Sequence, residues 1–244
     1  MGLEFLLFVI AGALAGGFVN GLAGFGTGIT ALGLWLYVLP PTVAATLVVV
    51  CSTAAQVQTL PRIWHSIESA RVLPFIVPGL IAVPIGTVLL AYIDVRAFKL
   101  GIAALLIAYS AYTLFLRNRL GQIKLSRVAD IVVGFSGGML GGLAGLSGPP
   151  LTVWGDLRNW TKEIKRSTFQ AFNLSILCAA LIAHITAGFF TRELLVAAGV
   201  ALPATFLGAW LGAILYSCVS DKRFNEIILV LLGVSGIVLI WTNA

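Results

Sequence analysis

The 244-residue chain is 59% hydrophobic and only 10% charged, with a formal net charge of +6 and a mean hydropathy of +1.04. An ordinary soluble domain carries roughly a quarter charged residues, so this composition excludes a water-soluble enzyme or binding domain. The cations lie in short loops between apolar blocks, where membrane topology rather than a nucleic-acid partner accounts for them.

Along the chain the apolar blocks cover residues 3–39, 42–60, 72–92, 98–116, 128–154, 168–190, 194–219 and 224–241. Most are close to the ~20 residues that cross ~30 Å of hydrocarbon as a helix. None shows the apolar/polar alternation of a membrane β-strand, so the expected fold class is an all-α integral membrane protein. Residues 1–15 lack a basic leader and run straight into glycine-rich apolar sequence, so they read as part of the mature protein rather than a signal peptide. Cys51, Cys178 and Cys218 are widely spaced and set in apolar segments, which implies neither a disulfide framework nor a metal site.

The first and fifth blocks are interrupted. Gly21, Gly24, Gly26 and Gly28 precede Pro40-Pro41 in the first, and Gly141, Gly142, Gly145 and Gly148 precede Pro149-Pro150 in the fifth. Glycine frees the backbone and proline removes a donor, so each block should contain a non-helical stretch. The two interruptions match: Gly16 to Gly24 lies over Gly137 to Gly145 at an offset of 121, with six of nine positions identical. Gly86 to Phe98 and Gly212 to Phe224 likewise share a glycine, a short polar linker with a basic residue, and a phenylalanine at equal spacing. Two related halves follow, 1–117 and 128–244, joined by a basic linker at 118–127.

Loop charge distinguishes the forms these breaks can take. If every block crosses once, Lys and Arg divide 8 to 7 between the two sides. If each broken block enters and returns to its own side, 12 fall on one face (Arg62, Arg71, Arg117, Arg119, Lys124, Arg127, Arg158, Lys162, Lys165, Arg166, Lys222, Arg223) and 3 on the other (Arg96, Lys99, Arg192). Cytoplasmic loops collect Lys and Arg, which favours hairpins; pairs of short crossings give the same parity and stay open. Each half is then a broken helical hairpin plus three transmembrane helices. The halves face opposite ways as inverted repeats, with basic loops in the cytoplasm and both termini outside.

Irregular backbone survives within hydrocarbon only when buried in protein or facing a watery cavity. Two related breaks therefore point to a site at mid-depth, with half-helix N-termini and freed N–H groups that favour an anion. This is the arrangement of secondary transporters built from inverted halves. The pairs Gly12/Gly16, Gly134/Gly138 and Gly208/Gly212 read instead as close helix packing. Gly145-Leu-Ser-Gly-Pro149 is not a nucleophile elbow, and neither glycine cluster is a Rossmann or P-loop motif, so no nucleotide or other cofactor is expected.

The repeated glycine-rich break, the run Gly142-Leu-Ala-Gly-Leu-Ser-Gly-Pro-Pro-Leu151 and the later Phe169-Gln-Ala-Phe-Asn-Leu174 resemble the sulfite exporter TauE/SafE family over nearly the whole chain. The resemblance implies a bacterial or archaeal inner-membrane carrier for small sulfur-containing anions such as sulfite, sulfoacetate or related organosulfonates. The first break, Gly24-Phe-Gly-Thr-Gly28, departs from the commonest pattern in having no proline.

Polar residues within spans mark the candidate substrate contacts, because such groups must find a partner or a cavity. Ser52, Gln56, Gln170 and Asn173 are the expected neutral donors, with Ser147 and the backbone of Gly24, Gly26, Thr27, Gly145 and Gly148 completing the cage; interhelical hydrogen bonding is the competing role for these side chains. Lys165 and Arg166 open their span, where they could draw in an anion or simply anchor the loop. His184 could relay a proton or be a satisfied core histidine. The spans show no mid-depth Asp or Glu. The partners expected are a small anion and the lipid bilayer, with a homodimer left open. An anion channel and an intramembrane enzyme using Ser147 and His184 are the alternative functions. A reporter fused at the C-terminus is expected to act as extracytoplasmic: an active alkaline phosphatase fusion and a dark green-fluorescent-protein fusion, with the reverse pattern overturning the parity.

Overall fold

The computed structural model describes residues 2–60, 65, 67–112 and 126–215. Most of the expected linker, the C-terminal ends of the 98–116 and 194–219 spans, the whole 224–241 span and Cys218 lie outside these residues. All regular structure among the described residues is helical. In order the helices are α1 Leu3–Ala23, α2 Thr27–Val38, α3 Pro41–Thr59, α4 Ser69–Tyr92, α5 Val95–Ala111, α6 Arg127–Ala144, α7 Gly148–Leu157, α8 Lys162–Thr186 and α9 Arg192–Leu215. Six of them (α1, α3, α4, α6, α8 and α9) are long and apolar enough to cross a membrane.

Both glycine clusters interrupt a helix, and each does so within three residues. α1 stops at Gly24 (φ 78°) and α2 starts from Gly26 (φ 114°), two left-handed positions that cost a side chain strain and glycine nothing. α6 stops at Gly145 (φ 66°), and α7 starts after Ser147 with Pro149 and Pro150 in its first turn, where a missing N–H is harmless. The first hairpin therefore turns without proline by using a second left-handed glycine.

Each short helix folds back along its partner. Trp35 Nε1 donates to the Val9 carbonyl at 3.2 Å, and the Phe8 and Tyr37 rings meet at a tilt with centroids 4.7 Å apart, so α2 returns toward the start of α1. At the open end of the second hairpin, Asp130 accepts from Trp154 Nε1 at 2.7 Å and pairs with Arg158 at 2.7 Å. With 12 and 10 residues, α2 and α7 are about 18 and 15 Å long, half of what a crossing needs. Each pair is a helical hairpin whose returning arm is the shorter one.

Three helices begin earlier than apolarity alone suggests. α8 starts at Lys162 rather than 168 because the Thr161 hydroxyl caps it, accepting from Ile164 N. Asp94 caps α5 through Arg96 N and Ala97 N, and α4 starts at Ser69. Hydropathy marks where lipid contact begins, whereas capping marks where the helix does.

The packing repeats at the sequence offsets. On α1, Gly17 and Gly21 lie against the backbone of Thr205 and Ala209 on α9; on α6, Gly138 and Gly142 lie against Gly79 and Val83 on α4. Gly212 meets Phe18 and Leu22, as Gly86 meets Met139 and Leu143. Every pair maps onto its counterpart by adding 121 on the hairpin arm and 126 on the partner helix. Each hairpin is thus braced by a helix distant from it in sequence, the first by α9 and the second by α4. The outward faces of α4 and α9 expose large apolar side chains such as Val77, Ile81, Val88, Leu195, Leu207 and Trp210, the surface that a bilayer covers.

Gly138 leaves no room for a side chain, since a Cβ would strike the Gly79 backbone. Gly138→Leu is expected to cost about 1–3 kcal/mol, the usual cost of overpacking, and to lower the melting temperature of the detergent-purified protein by several degrees. An unchanged melting point would show that α4 and α6 are not in close contact.

Candidate functional site

The two hairpin tips meet. A Cβ on Gly148 would strike the Phe25 ring, and one on Gly28 would strike Leu146; Phe25 and Leu146, the apex residues, are themselves 121 apart. The meeting point lies near the middle of α8. Ser147 Oγ donates to Asn173 Oδ1 at 2.6 Å, while Asn173 Nδ2 donates to the Gly24 carbonyl at 3.4 Å. Asn173 stands 11 residues after Lys162 and 13 before Thr186, roughly 16 and 20 Å from the ends of its helix. The breaks are therefore deep in the bundle and not at its surface.

Beside this junction is a small cleft, open on one side, with room for little more than one water molecule in this conformation. Polar groups reach it from Asn20, Ser52, Gln56, Ser147 and Asn173, and the tips contribute Gly26, Gly28, Gly145 and Gly148. Phe25, Ile29, Leu146, Pro149 and Leu177 form its apolar wall. The first turns of α2 and α7 both open here. The amides of Gly26, Thr27, Gly28, Ile29, Ser147 and Gly148 have no acceptor among the described residues, as expected for a helix start. Two positive dipole ends and a set of unpaired donors converge with no fixed charge on the wall, an arrangement that suits an anion.

Seven of the ten residues expected to bind substrate line this cleft: Gly26, Ser52, Gln56, Gly145, Ser147, Gly148 and Asn173. The other three stand just behind it. Gly24 offers its carbonyl to Asn173. Thr27 accepts from Asn20 Nδ2 at 2.8 Å and donates to the Gly16 carbonyl. Gln170 Nε2 reaches Thr59 Oγ1 at 2.8 Å.

Asn20 is the cleft residue that the sequence reading missed. Its signal was present, since an asparagine in the last turn of a 21-residue apolar helix needs a partner. Its Oδ1 and the Gln56 Oε1 are buried with no hydrogen-bond partner among the described residues. Turning the Asn20 amide over would let Thr27 donate to the oxygen and would present the NH2 to the cleft.

The cations divide. Lys165 pairs with Asp156 at 2.5 Å, at the edge of the bundle. Arg166 is buried and reaches the Gly21 carbonyl at 3.5 Å. His184 is away from the cleft, its ring nitrogens on the Gly142 carbonyl at 2.7 Å and Thr46 Oγ1 at 3.0 Å. Ser147 and His184 thus each have other partners and do not form a nucleophile and base. Cys51 is buried and Cys178 faces outward, both as free thiols, and no group of metal-binding side chains occurs among the described residues.

Interrupted helices that carry free N-termini to a polar cleft inside an apolar bundle are the construction of a membrane transporter. The chain belongs to the sulfite exporter TauE/SafE family, whose model matches residues 8–239. Comparison with curated proteins and with solved structures finds no match.

If the cleft receives an anion, Asn20→Asp should be far more damaging than Asn20→Ala, although it is nearly isosteric, because it adds a negative charge facing two helix N-termini. The expectation is a rise in KM of ten-fold or more for sulfite in proteoliposomes, against a few-fold for the alanine variant. Equal effects would argue against an anion at this position.

Proposed function

We propose that the protein carries a small sulfur-containing anion (sulfite, sulfoacetate or another organosulfonate) across the cytoplasmic membrane by alternating access, binding it between the N-termini of α2 and α7. The observation that carries this reading is the convergence of unpaired amides from both hairpins on one cleft at mid-depth. Ser52, Gln56, Ser147 and Asn173, with Asn20, supply the side-chain donors, and the apolar wall faces the substrate's carbon part when it has one.

The halves act as inverted repeats. The reciprocal glycine contacts at offsets 121 and 126 support this. So does the antiparallel course of α3 and α8, in which Thr46 meets His184 while Thr59 meets Gln170. Basic loops in the cytoplasm follow from the Lys and Arg distribution. The interlocked tips favour a carrier over a channel: Phe25 against Gly148 and Leu146 against Gly28 fill the space between the two hairpin tips.

Flux in proteoliposomes across sulfite, sulfoacetate, other sulfonates, sulfate and small carboxylates tests substrate and class together. Saturation and counterflow of labelled substrate are expected of a carrier; a non-saturating flux without counterflow would make the protein a channel. Ser147→Trp and Gly145→Leu are expected to abolish transport with expression retained, the first by filling the cleft and the second by placing a side chain at a left-handed position against Val48. Normal flux in either would remove the hairpin site.

A further inference from the structure

Two side chains that the proposed site leaves unused make the same contact on opposite hairpins. Gly21 and Gly142 are 121 apart, and each lies two residues before the end of its hairpin's entering helix. In an unbroken helix their carbonyls would accept from the amides four residues on, those of Phe25 and Leu146. The breaks remove both donors, and Leu146 N turns instead to the Leu140 carbonyl. A carbonyl stranded where lipid surrounds the bundle costs several kcal/mol unless it finds a partner.

One helix supplies both partners. Arg166 Nη2 donates to the Gly21 carbonyl at 3.5 Å, and His184 Nε2 donates to the Gly142 carbonyl at 2.7 Å. A carbonyl can only accept, so Nε2 carries the proton there; Nδ1 faces Thr46 Oγ1. Thr87 Oγ1 adds a longer contact to Gly142, at 3.4 Å. Helix carbonyls point toward the C-terminus, so each donor meets its hairpin from ahead, beyond the tip, where a basic side chain also complements the dipole. Between them Asn173 touches both tips. The counterpart of α8 in the first half, α3, meets the tips with Val48 and Val49, so the polar connections belong to α8.

We propose that α8 is a common clamp on the two hairpins, with Arg166 and His184 as positioning residues for transport. Each holds one entering helix at its break, so that the two helix N-termini stay aimed at one cleft and move only together. The inference rests on the transport reading for its consequence but not for its geometry. Neither residue touches the substrate.

The test compares the wild type with Arg166→Leu, Arg166→Lys, His184→Leu and His184→Gln, by hydrogen–deuterium exchange in detergent and by sulfite flux in proteoliposomes. Each leucine variant is expected to speed exchange ten-fold or more at the hydrogen-bonded amides of its own tip, Gly24 and Thr30 for Arg166 and Gly145 and Leu146 for His184. Its maximal flux should fall ten-fold or more with KM within about three-fold. The Lys and Gln variants keep a donor and should recover most of both. Where a leucine variant does not fold, Arg166→Gln and His184→Asn, polar but too short to reach the carbonyl, replace it with the same expectation. Unchanged exchange at both tips, or Lys and Gln variants as impaired as the leucine ones, would overturn the clamp. Absence of wild-type sulfite flux would sink the substrate assignment alone, because exchange reads the clamp without a substrate.

Discussion

A helix cannot be cut in hydrocarbon without releasing carbonyls on one side of the cut and amides on the other, and each released group must be answered by protein or by a polar space. In this protein the two sides are answered differently. The carbonyls are taken up by side chains: Gly21 by Arg166, Gly24 by Asn173, and Gly142 by His184 and Thr87. The amides that start α2 and α7 are left facing the cleft. With these three carbonyls engaged and the amides left over, the backbone around the cleft offers more donors than acceptors before any charged residue is counted. A net-positive pocket without a cationic wall can hold a small anion by hydrogen bonds and dipoles, and can release it without separating a strong ion pair.

Positions 121 apart carry matching backbone breaks and different side chains. Gly26 corresponds to Ser147, Gly28 to Pro149, Ser52 to Asn173, and Val49 to Gln170. The second hairpin gives up donors to its prolines but gains a serine held by Asn173; the first keeps every amide and takes its shape from two left-handed glycines. The contacts of Val49 with Gly145 and of Gln170 with Gly24 are at the same place in each half, one apolar and one polar. Corresponding positions thus differ in single residues, and the cleft they line is asymmetric.

Much of this was legible beforehand. Apolar blocks of membrane-crossing length gave the class, and the glycine clusters gave the breaks because nothing else in the sequence frees the backbone so densely. The offset of 121 located corresponding residues without any structure. Hidden were the features set by geometry across long sequence distances. Asn20 reads as one polar residue in an apolar helix until Thr27, Gly28 and Ser147 are brought beside it. Arg166 and Lys165 are neighbours in sequence, yet one is buried against α1 and the other is paired with Asp156. Asp130 sits too near its helix start to stand out, but its carboxylate ties the open end of the second hairpin to Trp154 and Arg158.

The exchange of partners between halves, α1 with α9 and α6 with α4, also bears on how the chain is made. α1 leaves the ribosome first and its glycine-lined face finds its lasting neighbour only when Arg192–Leu215 has been synthesised. Until then α1 has α2 beside it, but the face that carries Gly17 and Gly21 lacks its partner. The α1–α2 hairpin is thus closed late in synthesis, by a helix far from it in the chain.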